Sequence, residues 1–340
     1  MGSILLTGAS GVVGAAVLRR LAGKDVVALT YRGEVAGRAV RGDITRPRLG
    51  LDRHGYAELA RGVDAVVHCA GVTDFTADDA AIHAQNVRGT EQITRFAIDA
   101  GARLVLSSTA FVDRLDRAAP AHGGSVSAAR YLESKLAAED VVGRAGLPAA
   151  IARISIVIGD SVDGAMSRFQ GIHNTSAAVL RNLLPVLPFA AQTTVDMLPR
   201  DLVADALVAL AGPAAAGGVY WITSGLAAPE IQRMVELAVH RADQLGFAVW
   251  PPRFVPPAMV NRVIRPVFVD SLPPAQRRRF DNLMALVTLF DGAAPFPCSL
   301  GTVPGGPPAP DAAQIERAFL ASIDHLARTL GLVPEVSLHD

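Results

Sequence analysis

The sequence predicts an α/β protein, a doubly wound parallel sheet with a smaller, mostly helical C-terminal lobe. Three observations carry this expectation. Short runs of Val, Ile, Leu and Ala alternate with longer amphipathic stretches through the first half of the chain. Those runs are nearly continuous in apolar residues, as strands covered by helices on both faces must be. A glycine-rich turn, Thr7-Gly8-Ala9-Ser10-Gly11-Val12-Val13-Gly14, joins the first run to the first amphipathic stretch.

In chain order, Ser3–Thr7 reads as a strand, Val12–Ala22 as a helix, Val26–Tyr31 as a second strand and Arg38–Gly42 as a weak third. A helix over Gly55–Arg61 precedes a strand over Ala65–Cys69, and a long helix is predicted over Ala80–Ala100. Arg103–Ser107 reads as a strand, Ser127–Gly146 as a helix, and Ala149–Ile158 as one continuous β-rich run. Beyond it, Thr175–Leu187, Pro199–Ala211 and Ala228–Leu245 look helical, with a strand at Val219–Thr223. From Trp250 the prolines crowd, with Pro251-Pro252, Pro256-Pro257, Pro273-Pro274 and the stretch Pro295 to Pro310, so surface loops are expected there. Asp311, with Gln314 three residues on, is the signature of a capped N-terminus. The helix it opens carries Ile315, Phe319, Ile323, Leu326 and Leu330 on one stripe. Residues 1–225 are expected to form the sheet domain, with segment 160–198 contributing to the lobe, and residues 226–340 the lobe itself.

Composition excludes several classes of function. Half of the 340 residues are hydrophobic and 19% are charged, enough for a large core and too apolar for a disordered chain. Lys+Arg and Asp+Glu both number 32, a balance that argues against nucleic acid as partner. Two cysteines, Cys69 and Cys298, make neither a disulfide framework nor a Cys-rich zinc site. Their scarcity fits a reducing, cytoplasmic setting. The first residues lack the basic start of a signal peptide. The longest uncharged stretch, Ala206 to Pro229, is broken by Gly212-Pro213 and Gly217-Gly218. That leaves no run of about 20 apolar residues to cross a bilayer, and no integral membrane segment is expected. Lysine occurs only at Lys24 and Lys135; every other cation is arginine. A position that needs an ammonium cannot be filled by a guanidinium, which draws attention to both.

The glycine turn has the spacing of a dinucleotide site. Gly8 permits a tight turn, Gly11 lets backbone approach a pyrophosphate, and Gly14 lets helix pack on strand. Free N–H groups at the helix start, with Ser10 and Val12 beside them, then face the phosphates. The second strand ends Leu29-Thr30-Tyr31-Arg32-Gly33, with no acid to take a ribose 2′-hydroxyl. Arg32 is placed to meet a 2′-phosphate instead, so NADP(H) is the expected cofactor. Asp43 and Ile44 follow the third strand; Asp43 suits an adenine amino group and, equally, an ordinary turn.

Tyr131 and Lys135 lie four apart on a predicted helix and so share a face. A phenol has a pKa of about 10. A nearby ammonium, with the charge of an oxidised cofactor, lowers it, and the tyrosine then exchanges protons near neutral pH. The preceding strand ends in Ser107, Ser108 and Thr109, where chemistry gathers in sheets of this type. Each of the three is a candidate donor to a substrate oxygen as negative charge develops.

Taken together, the glycine pattern, His68-Cys-Ala-Gly71, Asn86-Val-Arg-Gly-Thr90, the Ser-Ser-Thr run and the Tyr131/Lys135 pair resemble an extended short-chain dehydrogenase/reductase over roughly residues 1–225. The resemblance implies a Rossmann domain in which Thr109 is the hydroxyl donor and Tyr131 the acid/base. Lys135 would bind the nicotinamide ribose and tune Tyr131, and Cys69, Ala70, Gly71, Asn86 and Ser107 would line the cofactor.

A narrower resemblance is to fatty acyl reductases and carrier-protein thioester reductases, the male-sterility-like group. It rests on Ser108-Thr-Ala-Phe-Val112, Tyr131-Leu-Glu-Ser-Lys135, Arg153-Ile-Ser-Ile-Val-Ile-Gly-Asp-Ser161, Val72-Thr-Asp-Phe75, Phe169-Gln-Gly171 and Leu198-Pro-Arg-Asp201-Leu-Val-Ala-Asp205. This chain departs from that group at Ile154, where proline is usual, and at Asp113 after Val112.

That resemblance implies NADPH-dependent reduction of an acyl thioester to an aldehyde or alcohol. The acyl group would arrive on coenzyme A or a carrier protein, and the enzyme would be a monomer or dimer. The competing expectations on the same fold are a ketoreductase, a nucleotide-sugar epimerase or dehydratase, and a non-enzymatic cofactor sensor. His54, His83, His122, His173, His240, His325 and His339 show no ligand spacing, and no metal is expected. Trp221 and Trp250 read as core or pocket wall, and Arg168 and Arg200 as surface salt-bridge residues, with contact to a phosphopantetheine or coenzyme A phosphate as the alternative.

Overall fold

The computed structural model describes residues 2–73, 77–118, 126–169, 171–290 and 292–333. Asp74 and Phe75, Gln170, His122 and His339 lie outside the described residues. The strands are β1 (Ser3–Thr7), β2 (Val26–Thr30), β3 (Ala39–Arg41), β4 (Val63–His68), β5 (Arg103–Thr109), β6 (Ala149–Ile154), β7 (Ile156–Ile158), β8 (Val186–Leu187), β9 (Met197–Pro199), β10 (Gly218–Ile222) and β11 (Arg253–Phe254). Seven of them form one sheet in the order β10-β6-β5-β4-β1-β2-β3. Every pair in it is parallel. From β1 the chain winds outward to β3 on one side and returns to wind through β4, β5 and β6 on the other. The reversal falls between β1 and β4, where Thr7 pairs with His68. A crevice opens at the carboxyl ends of strands at such a point.

The continuous apolar runs are explained by burial on both faces. Leu5, Val27, Val66, Leu104 and Leu106 pack with Leu59, Ile93, Phe96 and Val142 on one side. Ile4, Leu6, Ala28, Val67 and Val105 pack with Ala16, Val17, Val203 and Leu207 on the other. Each fully buried aliphatic side chain contributes about 1.5–3 kcal/mol, so this double layer fixes the sheet edge from which the site projects. Beyond the sheet, helix Ile231–Gln244 lies against helix Ala312–Thr329. Asp311 and Gln314 close the expected reciprocal cap on the latter, and Ile315, Phe319, Ile323 and Leu326 are buried. Across that helix pair Arg241 Nε and Nη2 each donate to the Asp324 carboxylate at 2.6 Å.

Several expectations are corrected. The run Ala149–Ile158 is two strands in two sheets. Ser155 N still donates to Ile222 O beside β10, and one residue later Ile156 N turns to Asp196 O. β7 then pairs with β9. The helix expected over Thr175–Leu187 spans Ile172–Leu180. It stops because Asn182 turns left-handed, φ +58°, and its amide bonds Ala248 O and Trp250 N. Val186–Leu187 is then free to pair as β8 with β11. The long helix before β5 carries a π-helical turn at His83–Arg88.

The proline-rich stretch is not all loop: it holds a π-helix over Val260–Val269 and an α-helix over Pro274–Phe290. Pro257 and Pro274 occupy first helical turns, where a missing N–H costs nothing. Trp250 is 76% exposed rather than core or pocket wall. Arg200 is buried rather than a surface residue, 3.7 Å from Asp160. Among the described residues no helix is long and apolar enough to cross a membrane.

Candidate active site

Backbone crowds the glycine turn at Gly8 and Gly14. Gly8 takes φ +71°, and a Cβ there would lie 2.6 Å from Ala70 N. Gly11 N donates to Gly8 O at 2.9 Å, and a Cβ on Gly14 would stand 2.1 Å from that same oxygen. Any side chain at Gly8 or Gly14 would push the turn away from the crevice. Helix Val12–Arg20 begins directly after Gly11, with Ser10 and Gly11 exposed at its N-terminus. The geometry fits a pyrophosphate: open N–H groups, a partial positive charge and no side chain in the way.

The facing loop, Cys69-Ala70-Gly71, is tied to this turn through Thr7. Its Oγ1 shares a hydrogen bond with His68 Nδ1 at 2.7 Å and accepts from Ala70 N at 3.2 Å. Burial, and then the nearby Lys135 ammonium, push His68 down to about 3, so it is a neutral strut. Burial pushes Cys69 up to about 12, which leaves it a thiol rather than a nucleophile. A Cβ on Gly71 would meet Asn86 Oδ1 at 2.8 Å. Asn86 sits in the π-helical turn; its amide accepts from Val72 N at 2.8 Å and donates to Val72 O and Ser134 Oγ at 3.1 and 3.0 Å. Ser134 Oγ in turn donates to Tyr131 O. The amide of Asn86 is thereby committed to holding the loop against helix Val126–Gly143.

Tyr131 and Lys135 ride on that helix and are both buried. Lys135 Nζ donates to Ser107 O at 2.7 Å, which brings the ammonium against the end of β5. Burial lowers Lys135 to about 8, opposed by the charge of Glu139. Burial raises the Tyr131 phenol above the ordinary value, and the ammonium does not reverse that. In the chain alone the phenol is protonated at neutral pH.

Of the three hydroxyls, Ser107 and Thr109 share one face of β5 and Ser108 the other, as alternation requires. Ser108 Oγ donates inward to Glu139 Oε1 at 2.5 Å. Thr109 is buried, and its Oγ1 accepts from Phe111 N at 3.4 Å, leaving its hydrogen to donate elsewhere. Arg32 is exposed beyond β2, its guanidinium 4.8 Å from the Tyr31 ring centroid. Asp43 Oδ1 is taken by Thr45 N and Oγ1 at 2.9 and 2.7 Å, a turn role, while Ile44 is buried beneath Gly89.

Two residues escaped the sequence reading. Glu139, one helical turn beyond Lys135, is bound by Arg153 of β6 through Nε and Nη2, at 3.1 and 2.8 Å to Oε2. Its signal was available, since Tyr131, Lys135 and Glu139 fall four apart on one stripe. Arg114, five residues past Thr109, is also buried. It donates to Leu289 O at 2.8 Å and Ala294 O at 2.9 Å, with Phe296 3.7 Å from its guanidinium carbon. No local pattern announces a contact between segments so far apart.

Residues 34–207 match the family described as male sterility protein, whose domain is NAD-binding. The chain belongs to the male sterility protein family. As a member it is an oxidoreductase of the extended short-chain dehydrogenase/reductase type with a Rossmann domain. Glycine betaine reductase ATRR of Emericella nidulans is 31% identical over 192 residues, 51% of this chain and 14% of that protein. The L-2-aminoadipate reductase large subunit of Penicillium chrysogenum is 28% identical over 272 residues, 64% of this chain and 19% of that protein. The chain therefore spans less than a fifth of either relative. The terminal R domain from the myxalamid PKS-NRPS biosynthetic pathway has the same fold, at a TM-score of 0.72 and 24% identity. The likeness covers 98% of this chain and 93% of that one.

Proposed function

We propose that the chain reduces an acyl thioester to an aldehyde with NADPH, using Tyr131, Lys135 and Thr109. The observation that carries this reading is the Lys135–Ser107 contact of 2.7 Å. It sets the Tyr131 helix against the end of β5, next to the crevice that the glycine turn opens. Gly8, Ser10, Gly11, Val12 and Gly14 would hold the pyrophosphate, Cys69, Ala70 and Gly71 would wall the crevice, and Lys135 would meet the nicotinamide ribose. Arg32 would take the 2′-phosphate, which favours NADPH over NADH. When bound, the dinucleotide supplies hydride to the carbonyl carbon.

The chain's own groups handle the oxygen and the protons. Thr109 Oγ1–H and the Tyr131 phenol donate to the developing oxyanion, and Tyr131 delivers its proton to that oxygen. Lys135 replenishes the phenol. Collapse of the tetrahedral product breaks the C–S bond and passes the oxygen's proton to the departing sulfur, releasing a thiol, so each aldehyde formed consumes one hydride and one proton. The two relatives are named for the reduction of glycine betaine and L-2-aminoadipate, both carboxylates. That supports an acyl rather than a ketone substrate. The thiol would be coenzyme A or a carrier protein. Residues 1–225 would serve the cofactor, and residues 226–340 with segment 160–198 the acyl group.

The test is NADPH oxidation with acyl-coenzyme A and acyl-carrier substrates beside simple aldehydes and ketones. Aldehyde and free thiol should appear together from the thioesters. Turnover with ketones alone would overturn the reading.

A further inference from the structure

Behind the Tyr131–Lys135 pair lies a buried polar relay that the chemistry above does not use. Glu139 is on the same helix stripe as the pair and is 5% exposed. Its Oε1 accepts from Ser108 Oγ at 2.5 Å and from Arg153 Nε at 3.2 Å; its Oε2 accepts from Arg153 Nη2 at 2.8 Å. Arg153 lies 5.0 Å from the Trp221 ring of β10. One carboxylate thus joins the helix to β5 and β6, and through Arg153 to β10.

On β5 it grips the middle residue of three. Ser107, on one side, gives its carbonyl to Lys135. Thr109, on the other, carries the hydroxyl assigned to the substrate. A buried carboxylate costs several kcal/mol in desolvation unless paired and hydrogen-bonded. Here the pairing is complete, so the charge stays beneath the site at a fixed place.

The groups facing Lys135 make that charge matter. From β4 and the loop after it come His68, held neutral, and Cys69, held as a thiol. From its own helix come Tyr131, whose phenol is protonated, and Glu139. Arg153 of β6 stands behind Glu139 and offsets part of its field. Among these described groups Glu139 alone carries negative charge, one helical turn from Lys135 and buried with it, in a setting where charges interact far more strongly than in water.

We propose that Glu139 is the positioning residue for Lys135: clamped by Ser108 and Arg153 one helical turn away, its fixed negative charge holds the lysine on the Ser107 carbonyl. The assignment of Lys135 to the cofactor and the proton relay rests on the proposed function. The effect of Glu139 on Lys135 does not, and is measured without substrate.

The chain has two lysines, Lys24 and Lys135. Protein grown on lysine labelled with ¹³C at Cε therefore gives two signals, and Lys24→Arg assigns them. The ¹³Cε titration of Lys135 should have its midpoint near pH 8 in the unaltered chain. Glu139→Gln keeps an acceptor for Ser108 but removes the charge, and should lower that midpoint by about one unit. Glu139→Asp, which keeps the Arg153 pair and draws the carboxylate back by one methylene, should lower it less. It also serves where the Gln variant does not fold.

A midpoint that stays put in the folded variant would overturn the proposal and leave the thioester reading intact. Failure of the thioester assay with a midpoint that moves would do the reverse. Because Lys135 must be an ammonium to act, the high-pH limb of kcat/KM in Glu139→Gln should move down with the titration. A purely structural loss would lower the whole profile without moving its limb.

Discussion

The edge of the sheet where β1 and β4 diverge and the seam between β5 and the C-terminal segment hold their parts in place by opposite means. At the first, backbone does it. Gly11 N bonds Gly8 O at 2.9 Å, and a Cβ on Gly8 or Gly14 would strike backbone within 3 Å. At the second, one long side chain does it. Arg114 crosses from the end of β5 to two carbonyls, Leu289 and Ala294, inside a cage of Phe111, Phe290 and Phe296. Burial lowers its guanidinium to about 10, so it remains charged at neutral pH. A site held by backbone is intolerant of added atoms; a seam held by a side chain is intolerant of removed ones.

Four substitutions break or sharpen this contrast. The largest effect belongs to the chemistry that both regions surround. Tyr131→Phe should lower kcat by about a hundredfold or more while NADPH binding, followed by nicotinamide fluorescence, changes little. Next is the seam. Arg114→Ala leaves two carbonyls without a donor and empties the aromatic cage, and should cost about 3 kcal/mol in chemical denaturation. Its effect on KM should exceed that on NADPH affinity, since the seam borders the lobe rather than the cofactor crevice. At the other region Gly14→Ala should cost about 1–3 kcal/mol, with NADPH affinity falling in parallel. An Ala variant that binds NADPH normally would show that the turn has slack the geometry does not reveal. The smallest change is expected from Arg32→Ala, about tenfold in NADPH affinity, or about 1.4 kcal/mol, with NADH affinity unaltered.

Legibility in the sequence follows the same division. The alternation of strands and helices, the glycine turn and the Tyr131–Lys135 stripe depend on local patterning, so their residues announce them. The N-cap at Asp311 was readable for the same reason, as both partners sit within one turn. The split at Ser155 was not, because what ends β6 is a carbonyl on β10 and what begins β7 is one at Asp196. Pro274 read as a breaker because the same residue that ends one helix can open another. Glu139 lay in plain view on the stripe, but only the position of Ser108 and Arg153 gives it a task. Lys135 is expected to make Tyr131 acidic together with an oxidised cofactor; what the sequence does not show is how deeply the helix sits, because depth has no local signature, and in the chain alone that burial raises the phenol.

Arg114 also sets an order on the birth of the molecule. Its two carbonyl partners lie 175 and 180 residues downstream. A ribosome releases β5 and the helix Val126–Gly143 long before it makes the segment that seals them, and closing so long a loop is slow. Until then the guanidinium and its phenylalanine neighbours stand open to water and to other chains. Nascent protein stalled before residue 289 should therefore be the form that chaperones hold and that clumps when they are scarce.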